Sequence, residues 1–347
     1  MLRISAVRSF SSSTRCLTNY GFVGLGQMGQ HMARHIFEKL EPHDKLYVYD
    51  TSSEAATQFV AENVKSLPGN TNLLVKVDSL EDLVHKVDAP LDFVVSMVPE
   101  GKHVKGVIKT LVEATKSKQS SKPHPTIFID SSTIDIPTSK EVHEYVKATV
   151  PHCDFIDAPV SGGVNGARRG TLSFMLSRAT HDDISPSLTH LLNKMGINIF
   201  PCGATHGTGL AAKLANNYLL AVTNLAVADS FQLAKSFGLD LNAYAKLVSV
   251  STGKSWASVD NCPIPGVYPP ENQLPADVDY NGGFITKLTR KDLVLATQCA
   301  AANNRPLFLG DISKYWYDKA CESQEIANKD LAVLYKWLGE LNSTKIN

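Results

Sequence analysis

The sequence predicts an α/β chain in which a doubly wound parallel sheet is followed by an all-α domain, with one long helix between the two. Three observations predict this. From Tyr20 to about residue 200, strand-like apolar runs alternate with helix-like amphipathic segments, the pattern of parallel strands joined by right-handed crossovers. From Gly207 to Phe237 the chain reads as helix for about thirty residues, far above the usual helix length. Beyond it only helical patterns and loops recur.

Length and composition set the frame. The 347 residues suffice for about two domains. The chain is 43% apolar and 20% charged with a formal net charge of zero, which gives no argument for a nucleic-acid or polyanion partner. No apolar run approaches membrane-spanning length. The six cysteines, at 16, 153, 202, 262, 299 and 321, form no CxxC pair and suit a reducing compartment.

Taken in order, the first nineteen residues stand apart. They carry Arg3, Arg8 and Arg15, five Ser and two Thr, and no acid before Glu38. Leu2, Val7 and Phe10 can share an apolar helical face, so residues 1–19 read as a mitochondrial transit peptide rather than part of the fold. The alternative is a disordered cytosolic tail.

The run that follows, Tyr20-Gly-Phe-Val-Gly24-Leu25-Gly26-Gln27-Met28-Gly29, places GxGxxG directly after an apolar strand and before a helical pattern at 28–40. Gly24 suits a tight turn, Gly26 lets backbone approach a pyrophosphate, and Gly29 lets the helix pack close to its strand. The helix N-terminus then faces the phosphates with free N–H groups. A second alternating run at 45–50 ends on Asp50, about 21 residues beyond Gly29, near the spacing of a ribose-binding acid. A carboxylate there accepts hydrogen bonds from ribose hydroxyls and repels a 2′-phosphate. Thr51-Ser52-Ser53 offers no arginine, so the reading is NAD over NADP. This is a Rossmann-type domain, expected over residues 20–206.

Further strand-like runs lie near 72–77, 92–98, 126–130, 154–157, 171–177 and 197–200, with helical patterns near 53–63, 79–87, 101–115, 137–148 and 183–195. In a doubly wound sheet, ligands bind beyond the carboxyl ends of the strands. Those ends carry Val98-Pro99, Asp130-Ser131-Ser132-Thr133 and Ser161-Gly162-Gly163. Each has a plainer reading: a turn proline, helix-capping hydroxyls, and a glycine turn. The last also frees backbone N–H groups for an anion such as a carboxylate.

The long helix opens a helical domain expected over 207–347, with patterns near 240–250, 286–303, 305–322 and 327–341. Five prolines keep 260–283 irregular. Near the start of the long helix, Lys213 and Asn217 are one turn apart on one face. Lys213 sits among Leu210, Ala211, Ala212, Leu214 and Ala215, and a buried lysine needs a partner or a shifted pKa. The alternative is a lysine whose amine reaches solvent. Lys291 follows Gly282-Gly283-Phe284 at another helix start. His31 and His35 have ligand spacing but no third ligand, so a solvated pair is the reading and no metal is expected. No Ser/His/Asp order or Cys/His pair supports nucleophilic catalysis.

These blocks together resemble the β-hydroxyacid dehydrogenase family. The match is carried by Gly24–Gly29, Asp130–Asp135, Asp157-Ala-Pro-Val-Ser-Gly-Gly163, Gly209-x-x-x-Lys213-x-x-Asn-Asn217, and Gly282-Gly-Phe284 through Lys291-Asp-Leu293. The resemblance implies that Gly24, Leu25, Gly26, Gln27, Met28, Gly29 and Asp50 hold NAD. It implies that Val98, Pro99, Thr133 and Lys291 line the nicotinamide side, with His103 among the cofactor contacts. Ser132, Ser161, Gly162 and Gly163 would bind the substrate carboxylate and neighbouring groups, Lys213 would be catalytic, and Asn217 would orient the substrate. The implied substrate is a small 3-hydroxy acid, 3-hydroxyisobutyrate first among them, and the implied assembly is a homodimer or homotetramer joined through the helical domain.

Departures from the family pattern are Ile285 and Lys287 in place of small residues, an extra residue around Thr205-His206, and inserted stretches near 66–90 and 114–125. Rival readings are a short-chain semialdehyde reductase of the same family and a non-catalytic dinucleotide sensor. The intact Lys213 block argues against the sensor.

Overall fold

The computed structural model describes residues 18–70, 72–118 and 123–344. Most of the expected transit segment, 1–17, lies outside the described residues. The folded part takes in Thr18 and Asn19, earlier than the boundary at Tyr20: Asn19 opens the first strand, and the Thr18 N–H donates to Asp44 Oδ1 at 3.0 Å.

The first half runs β1 (Asn19–Val23), α1 (Gly29–Glu38), β2 (Lys45–Tyr49), α2 (Ser53–Ser66), β3 (Leu74–Lys76), α3 (Asp82–His85), β4 (Phe93–Ser96), α4 (Gly101–Ser117), β5 (Ile127–Asp130), α5 (Ile136–Thr149) and β6 (Asp154–Asp157). These six strands form one parallel sheet in the order β3-β2-β1-β4-β5-β6. The chain winds outward from β1 to β3 and then returns to β4 beside β1. That reversal opens a crevice at the carboxyl ends of β1 and β4, where ligands of such sheets bind.

Both faces of the sheet are apolar, as buried parallel strands require. Phe22, Val95, Ile129 and Ile156 pack with Met32, Ile36 and Phe37 of α1 on one face. Val23, Val94, Phe128 and Phe155 pack with Ile108, Leu111 and Val112 of α4 on the other. The period-2 alternation along each strand sends successive side chains into different cores.

The later strand-like runs do not extend this sheet, which corrects the expectation of a single one. A short β7 (Val160–Ser161) is followed by α6 (Gly163–Arg169), β8 (Leu172–Leu176), α7 (Pro186–Met195) and β9 (Gly196–Pro201). They form a separate sheet, β7-β8-β9, with β7 antiparallel to β8 and β9 parallel to it. Pro159 has no N–H to extend a ladder, and Gly162 (φ 129°) and Gly163 (φ 60°) take backbone conformations that end β7 after two residues. Neither β7 nor α6 was separable in the sequence from a glycine turn.

The second half is helical. It consists of α8 (Thr208–Ser236), α9 (Leu241–Val250), α10 (Thr286–Ala302), α11 (Gly310–Ala320), α12 (Gln324–Ala327) and α13 (Leu334–Thr344). Helix α8 has 29 residues, about 44 Å at 1.5 Å per residue, and serves as the spine. Its Ala221 and Ala228 pack with Leu293 of α10, Tyr317 of α11 and Leu334 and Trp337 of α13.

Two helical segments come out shorter than expected. Pro306 delays α11, because the residue before a proline is pushed out of the helical region. The expected helix at 327–341 is broken at Asp330, whose buried carboxylate accepts from the N–H groups of Phe284 and Ala332 and from Asn261 Nδ2. The segment 260–283 has only two short 3-10 turns, Pro270–Asn272 and Pro275–Val278.

Candidate active site

The glycine loop joins β1 to α1 at the sheet's reversal. Gly24 has φ 95° and its N–H donates to the Tyr49 carbonyl at 2.9 Å; a Cβ there would meet the Met97 carbonyl oxygen at 2.3 Å. A Cβ on Gly29 would lie 1.9 Å from the Gly24 carbonyl oxygen. Both positions therefore demand glycine on steric grounds alone. Gly26 differs, since nothing lies within 4 Å of a Cβ added there. Its backbone faces open space, which fits the approach of a dinucleotide pyrophosphate. Met28 gives α1 no side-chain cap, so no side chain occupies its first-turn N–H groups.

Asp50, at the end of β2, closes this loop. Its Oδ2 accepts from the Leu25 N–H at 2.6 Å and its Oδ1 from the Ser52 N–H at 2.8 Å. Each oxygen keeps a further lone pair for a ligand hydroxyl.

The ends of β4 and β5 are tied together by a buried carboxylate. Asp130 Oδ1 accepts from Ser96 Oγ at 2.8 Å and from Ser132 Oγ at 2.7 Å, and Ser132 Oγ in turn accepts from the Val98 N–H at 2.9 Å. Burial pushes the Asp130 carboxyl up to about 6, against the opposing effect of these hydroxyl bonds. The Ser132 side chain is thus committed to holding the Val98-Pro99 turn beside the β5 loop. Ser161 is half-buried, and the Gly162 and Gly163 backbone at the start of α6 carries no side-chain cap. His103, in the first turn of α4, is exposed.

The start of α8 is anchored to the sheet. Asp157, at the end of β6, accepts from the Gly207 N–H at 3.2 Å and the Leu210 N–H at 3.0 Å. Ser177 Oγ accepts from the Gly207 and Gly209 N–H groups at 3.0 and 3.1 Å. A Cβ on Gly209 would meet the Met175 carbonyl oxygen at 2.4 Å, so the helix can approach β8 this closely only through glycine. This clamp fixes the first turn of α8, and with it Lys213 and Asn217 on the next turns.

Lys213 is 9% exposed, and among the described residues its ammonium has no hydrogen bond or ion pair. Burial lowers its pKa, Lys291 lowers it further, and the Asp292 carboxylate opposes both. Asn217 donates from Nδ2 to Asp292 Oδ2 at 2.6 Å and accepts from Asn216 Nδ2 at 3.1 Å. Burial raises the pKa of Asp292, against Lys291 and Lys213, and its Oδ1 lies 3.6 Å from the Lys291 ammonium. Lys291, beside it on α10, donates to the Pro99 carbonyl at 3.1 Å and the Thr133 carbonyl at 2.9 Å.

Lys291 therefore bridges the helical domain to both strand-end loops of the sheet. It brings Pro99, Thr133, Asp292, Asn217 and Lys213 into one neighbourhood. Asp292 was missed in the sequence; its adjacency to Lys291 was the one signal, and nothing there showed that it faces Asn217.

The other singled-out residues have structural roles. His35 is buried, which corrects the expected solvated pair, and its Nε2 lies 3.0 Å from the Arg168 carbonyl. A Cβ on Gly283 would collide with Asp330, so packing requires that glycine, whereas Gly282 is open to space and is favoured by its φ of 80°. A Ser/His/Asp set does come together in space: Ser139 Oγ is 2.9 Å from His206 Nε2, and His206 Nδ1 is 3.4 Å from Asp157 Oδ1. Ser139 is fully buried and offers no nucleophile to a substrate. Among the described residues no group of three His, Cys, Asp or Glu side chains is placed to hold a metal ion.

Similarity to known proteins runs along nearly the whole described chain. Residues 19–203 match the model of the NAD binding domain of 6-phosphogluconate dehydrogenase, and residues 207–338 match that of the NAD-binding region of NADP-dependent 3-hydroxyisobutyrate dehydrogenase. The chain is 37% identical over 317 residues to a mitochondrial 3-hydroxyisobutyrate dehydrogenase of Drosophila melanogaster, covering 91% of this chain and 88% of that one. It is 34% identical to the Homo sapiens protein of the same name, covering 95% and 89%. The solved structure of a Mycobacterium tuberculosis 3-hydroxyisobutyrate dehydrogenase with L-serine superposes with a TM-score of 0.77 at 31% identity, over 93% of this chain and 99% of that one.

Proposed function

The chain belongs to the 3-hydroxyisobutyrate dehydrogenase family of β-hydroxyacid dehydrogenases, and from that premise we propose that it oxidises 3-hydroxyisobutyrate to methylmalonate semialdehyde with NAD, as a step of valine breakdown in the mitochondrial matrix. The observation that carries this reading is a buried, unpaired Lys213 held beside Asn217 and Asp292 on a helix clamped to the dinucleotide-binding sheet.

Gly24–Gly29, Asp50, Val98, Pro99, His103, Thr133 and Lys291 would hold the dinucleotide, which supplies the hydride acceptor when bound. The Gly24 and Gly29 sterics shape the loop, and the open face of Gly26 admits the pyrophosphate. Ser161, Gly162 and Gly163 would orient the substrate carboxylate, with Ser132 holding the neighbouring turn. Lys213 accepts the hydroxyl proton as the carbinol carbon is oxidised, and meets the negative charge that develops on oxygen. An ordinary lysine, with a pKa of about 10.4, holds its proton too tightly for this task. Burial and the neighbouring Lys291 ammonium move Lys213 in the required direction. Asn217, fixed by Asp292, would hold the substrate hydroxyl in place.

Cofactor choice rests on Asp50, whose charge disfavours a 2′-phosphate. The mitochondrial names of the relatives and the arginine-rich start of the chain support the location. The helical domain exposes Leu219, Leu233, Phe237, Leu247, Val250 and Phe308, which supports a homodimer or homotetramer joined there.

The test is an initial-rate panel on protein lacking residues 1–17, with 3-hydroxyisobutyrate, serine, 3-hydroxypropionate and 4-hydroxybutyrate, each with NAD and NADP. The fastest turnover is expected for 3-hydroxyisobutyrate with NAD. A better hydroxy acid would overturn the substrate, and faster turnover with NADP would overturn the role of Asp50. Tight dinucleotide binding with no turnover of any acid would overturn the enzyme reading.

A further inference from the structure

A cleft of about 540 Å³ lies at the start of α8; it shares Ser177 and His206 with the surroundings of the clamp described above but none of the residues assigned to dinucleotide or substrate. It is lined by His143 and Lys147 of α5, His152 before β6, Asp154 of β6, Arg178 after β8, and His206 before α8. We propose that this cleft binds a small phosphate-bearing metabolite.

The charge and the donors carry the argument. Lys147 and Arg178 are the basic side chains of the lining, and the one lining carboxylate, Asp154, is already paired with Arg178 at 2.7 Å. Arg178 is held in place by that bond and by donation to the Ser177 carbonyl at 2.9 Å. Two of its five N–H donors are engaged, so the rest of a pre-oriented guanidinium fork is available to an oxyanion. Its volume is within the usual range for small-ligand sites, about 300–1,000 Å³. That is roomier than a bare phosphate ion requires and suits a phosphomonoester.

Three imidazoles complete the lining. His143 Nδ1 lies 3.1 Å from the Phe155 carbonyl, so that nitrogen carries a proton. The His143 ring stacks on His206 with centroids 4.2 Å apart. Two stacked imidazoles cannot both charge cheaply, and burial already holds His206 below its ordinary value, with Asp157 opposing. The charged and titratable groups around His206 are Asp154 and Asp157 from β6, His143 and Lys147 from α5, His152 before β6, and Arg178 after β8. A bound dianion favours the charged form of His206, so binding draws a proton onto it. His206 directly precedes Gly207, the residue at the head of α8.

The experiment is isothermal titration calorimetry on the whole protein saturated with whichever dinucleotide it binds, so that phosphate does not report from the glycine loop. Inorganic phosphate, glycerol 3-phosphate and acetate are titrated at about pH 7.5, and sulfate, which stays a dianion throughout, at about pH 6 and about pH 7.5, either side of the imidazole range, at constant ionic strength. One saturable site is expected, with sulfate binding tighter at the lower pH and accompanied by proton uptake. The better binder identifies the source: the ester points to a metabolite, inorganic phosphate to the free ion. Lys147→Ala, an exposed position, is expected to weaken binding roughly tenfold. His206→Gln is expected to remove most of the pH dependence. Absence of saturable binding at both pH values, equal binding of acetate, or unchanged affinity in both variants would overturn the proposal.

Discussion

Gly24–Gly29 and Lys213–Asn217 both sit at the start of a helix above the same sheet, yet they are built in opposite ways. The glycine loop is shaped by what it lacks. A Cβ at Gly24 or Gly29 has no room, and the groups on offer to a ligand are backbone N–H donors and an empty face at Gly26. The start of α8 is shaped by what it buries: Lys213, Asn217 and Asp292 are at most 9% exposed. The first region needs only steric exclusion, which tolerates changes of charge. The second depends on a balance of desolvation against neighbouring charges, which a single neutralisation upsets.

The largest expected effect breaks the first region. Gly29→Ala places a Cβ 1.9 Å from the Gly24 carbonyl oxygen, which cannot be accommodated without reopening the turn. Dinucleotide binding, followed by fluorescence titration, is expected to fall below detection, and turnover with it. Retention of wild-type affinity would mean that the turn is not the cofactor site.

A smaller effect is expected from the second region. Asp292→Asn keeps the shape but removes the carboxylate that holds Asn217 and raises the pKa of Lys213. Turnover is expected to fall roughly tenfold to a hundredfold, the scale of one charge-assisted hydrogen bond, with dinucleotide affinity little changed. The Lys213 limb of the pH–rate profile should move to lower pH, because the opposing charge is gone. An unmoved limb would separate Asp292 from Lys213.

An effect on stability rather than on turnover sharpens the contrast through a carboxylate in the sheet that shapes a loop and does no chemistry. Asp130 has its pKa raised to about 6 by burial. An unfolded aspartate titrates near about 3.9, so the folded state holds the proton more tightly. The resulting stabilisation is full below about pH 4 and is lost as pH rises through about 6. Relative to Asp130→Asn, the wild type is expected to lose up to about 3 kcal/mol of stability across that window, measured by urea melts. A constant difference would show that Asp130 is not buried as described.

The same contrast explains how much was legible in the sequence. The sheet could be read because each strand repeats an apolar pattern, and the glycine loop because its spacing answers a steric demand. The second sheet was missed because β7 has two residues and α6 begins on glycines, which read as a turn. The break at Asp330 was hidden because two of its three donors, Asn261 and Phe284, lie far away in sequence. Lys213 and Asn217 could be singled out because they share one helix face. Asp292 could not, because its meeting with Asn217 spans 75 positions and exists only once α10 packs on α8. Asp157, read only as part of a motif, emerged as the clamp on α8 for the same reason.

The central claim is a division of labour, with the dinucleotide held by the sheet's backbone and the proton handled by α8. Its most direct test is Lys213→Ala, assayed for both NAD affinity and single-turnover hydride transfer. The account predicts unchanged affinity and a transfer rate lower by roughly 10²–10⁴-fold. Near-normal transfer, or an affinity that falls in step with the rate, would contradict it.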